Sequence, residues 1–239
     1  MKKFKILAVT LARGGSKSIK NKNLSLINGK PLIYYTIREA LKSKMISRYI
    51  ISTDDKKIKK ISEKYGAEVP FLRPKKYSTD KAKAVAADIH ALKWIEKNEG
   101  RKYDFFVELM ATNPLKTYKD IDKVLKKLIK TKADSVIGVV KLDDHHPIRI
   151  KKIVNGKIKN FSKNLTEIPE THRQQLKPTA YIRNGSIYAS KRNLLIKGKR
   201  YGTKNSIPYI MDSSKSVNID NGIDLMIAKQ LLKKRKKRS

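Results

Sequence analysis

Cysteine is absent from the 239 residues, which excludes disulfides and any zinc site ligated by cysteine and fits a reducing compartment. No apolar run approaches the ~18 residues of a membrane-spanning helix, so no membrane partner is expected. The stretch Ile6 to Ala12 behind Met1-Lys2-Lys3 resembles a signal peptide only superficially. It is short, and Arg13 stands where a small-residue cleavage site belongs, so it reads as a first strand. There is no Gly-x-Ser-x-Gly elbow, no Walker A loop, no Gly-x-Gly-x-x-Gly and no helical His-x-x-x-His, so the usual marks of serine hydrolases, P-loop and Rossmann dinucleotide sites and zincins are missing. His145-His146 are adjacent rather than spaced for a shared metal ion.

Acidic residues are also scarce, 21 against 57 Lys plus Arg, and the net charge is +36. Such a surface favours anionic partners. The lysines are spread over nearly every helix, however, without aromatic-basic repeats, which argues against nucleic acid as the principal partner. The terminal run 233–239 is a basic tail that reads as a solvated helix end.

What is present is a regular alternation. Apolar strands at Ile6–Leu11, Tyr49–Thr53, Ala67–Leu72, Phe105–Leu109 and Ser135–Val140 are separated by helical patterns opening near Pro31, Asp55, Lys81 and Thr117. This implies α/β architecture, with a mostly parallel sheet flanked by helices on both faces. The rhythm changes between residues 142 and 178. There, Ile153 to Ile158 reads as a hairpin about Asn155-Gly156, followed by a polar stretch. Strand patterns resume at Tyr181-Ile182, Ser186–Tyr188 and Ile207–Met211. A last helix from about Asn221 is expected to turn Ile223, Met226, Ile227 and Leu231 inward. The whole chain reads as one domain with an excursion.

In such sheets ligands gather at the carboxyl ends of strands. After the first strand comes Ala12-Arg13-Gly14-Gly15-Ser16-Lys17, then Lys20, Lys22 and Asn23. Paired glycines can turn backbone N–H groups toward an anion, and the cations can neutralise it. Asp54-Asp55, Arg73 and Thr112-Asn113 follow later strands, and Asp220 precedes the last helix. Together they outline a polyphosphate site with a carboxylate able to hold Mg²⁺. Each also has a plainer use: Asp220 suits a helix N-cap, and Asn221 with Asp224 suits a capping pair.

In order along the chain, Ala12-Arg13-Gly14-Gly15-Ser16-Lys17, Lys22-Asn23-Leu24, Ile51-Ser52-Thr53-Asp54, Leu72-Arg73-Pro74, Asp80 to Ala82, Thr112-Asn113-Pro114-Leu115, His145-His146-Pro147, Arg173-Gln174-Gln175-Leu176, Arg183-Asn184-Gly185-Ser186-Ile187-Tyr188 and Asn218-Ile219-Asp220 resemble the acylneuraminate cytidylyltransferases, the CMP-sialic acid synthetases. The resemblance implies a Rossmann-like nucleotidyltransferase fold and a cytoplasmic, Mg²⁺-dependent enzyme. Its expected reaction transfers CMP from CTP to the anomeric hydroxyl of a nine-carbon 2-keto acid sugar and releases pyrophosphate. By the same resemblance, Arg13, Lys17 and Lys22 grip the triphosphate, while Asn23, Arg73 and the backbone around Ala82 meet the cytidine. Arg173, Asn184, Tyr188, Thr112, Arg149 and Tyr201 face the sugar, with Arg173 expected on its carboxylate. Lys22, Arg13 and Asp220 are the expected catalytic set, and Asp220 with Asn218 the metal ligands. A homodimer is implied, with residues 142–178 as the dimerisation and substrate arm.

Three departures stand out. The family's usual Asp-x-Asp is Asn218-Ile219-Asp220, removing one negative charge from the metal site. Met110-Ala111 replace the Gln-Pro common in sialate enzymes, and Lys116 replaces an arginine. The lost amide points to a different substituent pattern, so legionaminic- or pseudaminic-type sugars fit as well as N-acetylneuraminate. The rival 3-deoxy-manno-octulosonate enzymes carry a Ser-x-Arg-Leu-Pro-Gly-Lys loop that is absent here. A catalytically silent nucleic-acid-binding relative is the second alternative.

Overall fold

A computed structural model describes residues 4–16, 18–142, 144–165 and 172–237. Strand β1 (Ile6–Leu11) is buried on both faces and leads into the cationic loop. A two-residue hairpin, β2 (Leu26–Ile27) and β3 (Lys30–Pro31), turns at Asn28-Gly29, where both residues have positive φ. Pro31 is extended and caps α1 (Leu32–Lys42). Next come β4 (Arg48–Ser52) and α2 (Lys56–Lys64), whose N-cap Asp55 accepts from the N–H groups of Lys57 and Ile58. The chain continues through α3 (Ala84–Glu99), β5 (Phe105–Leu109), α4 (Tyr118–Thr131) and β6 (Ser135–Lys141). Thr117 and Asp120 form the reciprocal capping box that opens α4. The excursion carries the exposed hairpin β7 (Lys151–Val154) and β8 (Lys157–Asn160), turning at the expected Asn155-Gly156. Strand β9 (Tyr181–Lys191), α5 (Arg192–Ile196), β10 (Ser206–Ile210) and α6 (Gly222–Lys237) complete the chain.

The main sheet has the order β10-β6-β9-β5-β1-β4. Pairs β1/β4, β1/β5 and β10/β6 are parallel; β9 lies antiparallel between β5 and β6. The expected mostly parallel sheet is therefore present, with one late strand inserted in reverse. One core cluster packs β1, β4 and β5 against α1 and α4 through Ile6, Ile33, Ile37, Val107, Ile121 and Leu125. A second lies on the opposite face, where Leu7, Val9 and Phe106 meet Leu92 and Ile95 of α3. Full burial of such side chains contributes roughly 1.5–3 kcal/mol each, so this two-sided core fixes the strand ends that carry the site.

Three expectations are corrected. Residues 67–72 form no strand, only isolated bridges at Glu68 and Leu72, because Pro70 lacks the N–H a ladder needs. Tyr181-Ile182 and Ser186–Tyr188 are one strand, not two; its partner β6 shifts register between Ile137 and Val139. On α6, Ala228 and Leu232 are the buried positions among the described side chains, whereas Ile223, Met226 and Ile227 are exposed. The helix rests on the small β2–β3 side of the fold through Ile27, Leu32 and Leu115, too narrow a seat to bury a full apolar face.

Candidate active site

The loop after β1, the turn after β5 and the segment before α6 meet at the carboxyl edge of the sheet. Arg13, Ser16, Ser18, Lys22, Asn23, Met110, Ala111 and Thr112 line one cleft of about 190 Å³. Lys22 is almost wholly buried, and its ammonium donates to the Ile219 carbonyl at 2.8 Å and to Asp220 Oδ1 at 3.2 Å. This joins residues 198 apart in sequence. Thr112 fastens the same corner from the other side, its carbonyl accepting from the Ile219 N–H at 2.8 Å, while its hydroxyl is buried without a partner among the described residues.

Asp220 is not the helix cap. Asn221 Oδ1 accepts from the N–H groups of Ile223 and Asp224, and Asp224 Oδ2 accepts from those of Asp220 and Asn221. That reciprocal cap satisfies the helix start and leaves the Asp220 carboxylate turned to Lys22, with its side chain 68% exposed. Asn218 donates its amide N–H to Asp220 Oδ2 at 2.6 Å. Its Oδ1 is buried and unpaired among the described residues and lies against Gly185, where a Cβ would come within 2.9 Å of it. With φ at +58°, Gly185 suits a glycine twice over.

Among the residues expected at the nucleotide, Arg13 reaches Asp80 at 2.9 Å, tying the segment before α3 to the β1 loop. Its carbonyl accepts from the Asn23 amide at 3.1 Å. Arg73 is buried, donates to Ser78 Oγ at 3.0 Å and lies 3.6 Å from Asp54. Burial lowers the pKa of its guanidinium, and nearby Asp54 and Asp88 pull the other way. Ala82, close by, uses its N–H on the Thr79 carbonyl. Lys17 lies outside the described residues. Gly14 departs from expectation: its N–H is taken by Asp54 Oδ1 at 3.2 Å, and a Cβ there would stand 2.6 Å from Asp55 Oδ2. This glycine admits α2's capping aspartate rather than offering its own N–H to an anion.

The residues expected at the sugar fall into two groups. Asn184 and Tyr188, both on β9, sit on the sheet, and Tyr188 stacks on Tyr201 with ring centroids 5.7 Å apart. Asn184 is buried, donating to Ser216 Oγ at 3.0 Å, with its Oδ1 unpaired among the described residues. Arg149 and Arg173 belong to the excursion. Asp144 is held below the usual carboxylate range chiefly by the His145 N–H, with smaller contributions from these two arginines. Arg173 is exposed.

Two features escaped the sequence reading. Lys116 is fully buried, and its ammonium donates to Thr36 Oγ1 at 2.9 Å and to the carbonyls of Met110 at 2.6 Å and Asn113 at 2.5 Å. It clamps the turn that carries Met110, Ala111 and Thr112. Burial pushes its pKa down to about 7, against the pull of Glu39 and Asp120. The other is Glu108 with Asp88, two buried carboxylates beneath Arg200. The acidic residue inside the apolar run Phe105–Leu109 was the available signal.

A mixed α/β sheet with a cationic cleft at its strand ends is a setting that suits a nucleotidyltransferase. Comparison with known proteins agrees. The fold matches a solved CMP:2-keto-3-deoxy-manno-octonic acid synthetase complexed with CTP, with a TM-score of 0.68 over 97% of this chain and 99% of that one, at 16% identity. Residues 7–207 match the family model described as Cytidylyltransferase. The chain belongs to this family, and the acylneuraminate-type resemblance of its motifs stands. Among its relatives are post-translational flagellin modification protein B of Campylobacter coli, 33% identical over 96% of both chains, and the CMP-N,N'-diacetyllegionaminic acid synthase of Campylobacter jejuni, 31% identical over 95% of this chain and 94% of that protein.

Proposed function

We propose that this cytidylyltransferase joins CMP to the anomeric hydroxyl of a nonulosonic acid, and that the Lys22–Asp220 contact inside the Arg13 cleft marks where the α-phosphate sits. That contact carries the reading, because it brings a cation from the front of the chain and a carboxylate from its end to one point. The anomeric oxygen attacks the α-phosphorus of CTP in line; the new O–P bond forms as the bond to the bridging α–β oxygen breaks. Pyrophosphate leaves and the hydroxyl proton passes to solvent. Little covalent work falls to the protein, so positioning and charge neutralisation supply the acceleration. Lys22, held by Ile219 and Asp220, opposes the charge that builds on the α-phosphate. Arg13 and Lys17 hold the outgoing pyrophosphate. Asn23, Arg73 and the Ala82 backbone frame the cytidine.

The donor set fits Mg²⁺ of the kind that keeps most of its waters: one exposed carboxylate, Asp220, beside an amide whose buried carbonyl lacks a partner among the described residues. Asp220 would hold the ion, joined by Asn218 once its amide turns, and the ion when bound would supply neutralisation of the phosphate oxygens. Asn184, Tyr188, Tyr201 and Thr112 face the sugar. The excursion serves as an arm through which two copies pair, its exposed Ile153, Ile158 and Phe161 buried between them and Arg149 and Arg173 offered to the acid's carboxylate. With Met110 and Ala111 lining the cleft in place of an amide, legionaminic- and pseudaminic-type acids are favoured substrates alongside N-acetylneuraminate. We place the enzyme in the cytoplasm, where CTP is available.

The test is pyrophosphate release from CTP with N-acetylneuraminate, N,N'-diacetyllegionaminate and pseudaminate supplied in turn. Release requiring both Mg²⁺ and one of these acids supports the proposal. Release with none of them, or with 3-deoxy-manno-octulosonate alone, overturns it.

A further inference from the structure

Beneath the tyrosine pair lies an arrangement that the reaction as described does not use. Glu108 on β5 stands opposite Tyr188 on β9 in the sheet register and is buried. Asp88 of α3 is wholly buried, and neither of its oxygens has a hydrogen-bond partner among the described residues. One Arg200 nitrogen contacts Glu108 Oε2 and lies 3.9 Å from Asp88 Oδ2. Burial pushes both carboxyl groups to higher pKa, each opposed by Arg200 and Asp88 also by Arg73. Two acids under one guanidinium make an expensive way to fill a core, and an apolar pair of similar size would stabilise the fold at least as well.

The arrangement continues upward as a ladder. The Arg200 guanidinium lies 5.1 Å from the Tyr188 ring centre, Tyr188 stacks on Tyr201 at 27° between planes, and Arg183 lies 4.8 Å from the far Tyr201 ring while also contacting its hydroxyl. Arg200 and Tyr201 belong to the connection between α5 and β10. That connection has glycines at positive φ at 198 and 202, and its ends are tied by Lys199 N–H to Leu194 and Gly202 N–H to Ser206. Its middle is fastened by Arg200. A planar guanidinium can meet a carboxylate with its edge and an aromatic ring with its face at once, which an ammonium cannot.

We propose that Arg200, seated on Glu108 and Asp88, is a positioning residue that holds the Tyr188–Tyr201 pair in place for the acidic sugar. This rests on the cytidylyltransferase reading, in which those tyrosines face the acid rather than CTP. Loss of Arg200 therefore loosens one substrate's seat and leaves the other's intact. Glu108, in direct contact with the guanidinium, keeps it over the Tyr188 ring.

The experiment measures KM for CTP and for the acid that the wild-type chain turns over best, in Arg200→Lys, Arg200→Met and the double variant Glu108→Gln/Arg200→Met. The double variant removes a buried carboxylate together with its partner and so keeps the fold testable. The expected result is a tenfold or larger rise in KM for the acid in all three, with KM for CTP within twofold of wild type; lysine does not rescue, because it lacks the flat face. An acid KM within twofold of wild type in any folded variant, or parallel rises in both KM values, overturns the role of Arg200. Absence of wild-type turnover with every acid overturns the proposed nonulosonic-acid reaction itself, and this inference with it.

Discussion

Replacing Lys116 with methionine tests how a buried charge governs the turn over the cleft. In the folded chain the Lys116 pKa lies at about 7, against an ordinary 10.5. Three acceptors surround the ammonium and favour its charged form, but complete burial outweighs them. Between these values the unfolded chain binds more protons at this site than the folded one, so wild-type stability rises with pH across the window. Below pH 7 both states are protonated and the cost of the buried charge is fully present. One pH unit inside the window corresponds to about 1.4 kcal/mol. Allowing for partial titration near the lower limit, the rise from pH 7 to 9 amounts to about 2 kcal/mol. In a chain of this length that is a shift of roughly 4–8 °C in Tm. Methionine cannot titrate, so the Tm difference between wild type and Lys116→Met should widen by this amount, in favour of wild type, as pH rises. Circular dichroism melts of both proteins at half-unit steps read it directly. Measurements should stop near pH 9, since the sequence pI is about 10.2. A difference that stays constant over the range refutes the argument and means that Lys116 remains protonated, its three acceptors offsetting burial.

Lys22→Ala should lower kcat by roughly 10²- to 10³-fold, the scale of losing one transition-state donor. Because the variant removes a partner of Asp220 and of the Ile219 carbonyl, circular dichroism should accompany the kinetics; near-normal turnover in a folded variant removes Lys22 from the mechanism. Asn218→Asp restores a second carboxylate beside Asp220 and should lower the Mg²⁺ concentration for half-maximal activity several-fold, whereas an unchanged titration places residue 218 outside the metal shell. Gly14→Ala forces a methyl group toward Asp55 Oδ2, where only 2.6 Å is available, and should cost about 1–3 kcal/mol. A Tm equal to wild type would show that the capping aspartate gives way freely.

Much of the framework was legible because it rests on local chemistry. Asn28-Gly29 and Asn155-Gly156 mark their hairpins, Thr117 with Asp120 marks the α4 start, and the fully apolar Phe105–Val107 and Val136–Val140 stretches mark strands buried on both faces. The insertion of β9 was not legible, since pairing partners far apart in sequence leave no local trace. The outward apolar stripe of α6 was hidden for a related reason: spacing shows which residues share a face, not whether the protein offers that face a partner. At the cleft, the cations and Asp220 could be nominated from their place after strands. Which carboxylate caps a helix and which meets Lys22 was settled only by Asn221 and Asp224 capping each other's segment. Lys116 was legible only as the replacement of an arginine; its burial was not, because a charge hidden in the interior has the same letter as one in water.

The reversal of β9 bears on how this enzyme can diversify. Lys141 pairs with Tyr181, and the Leu142 N–H donates to the Ala180 carbonyl at 2.9 Å, so the whole excursion departs and rejoins the sheet at one rung. Its two stems are already held together by the ladder below. Lengthening or exchanging what lies between them adds only a slowly growing entropic term, about 0.6 kcal/mol per doubling of length. Natural variation can therefore remodel this outgrowth, or an engineer can graft a new one, at the same carboxyl edge that carries the site, while the sheet beneath stays undisturbed.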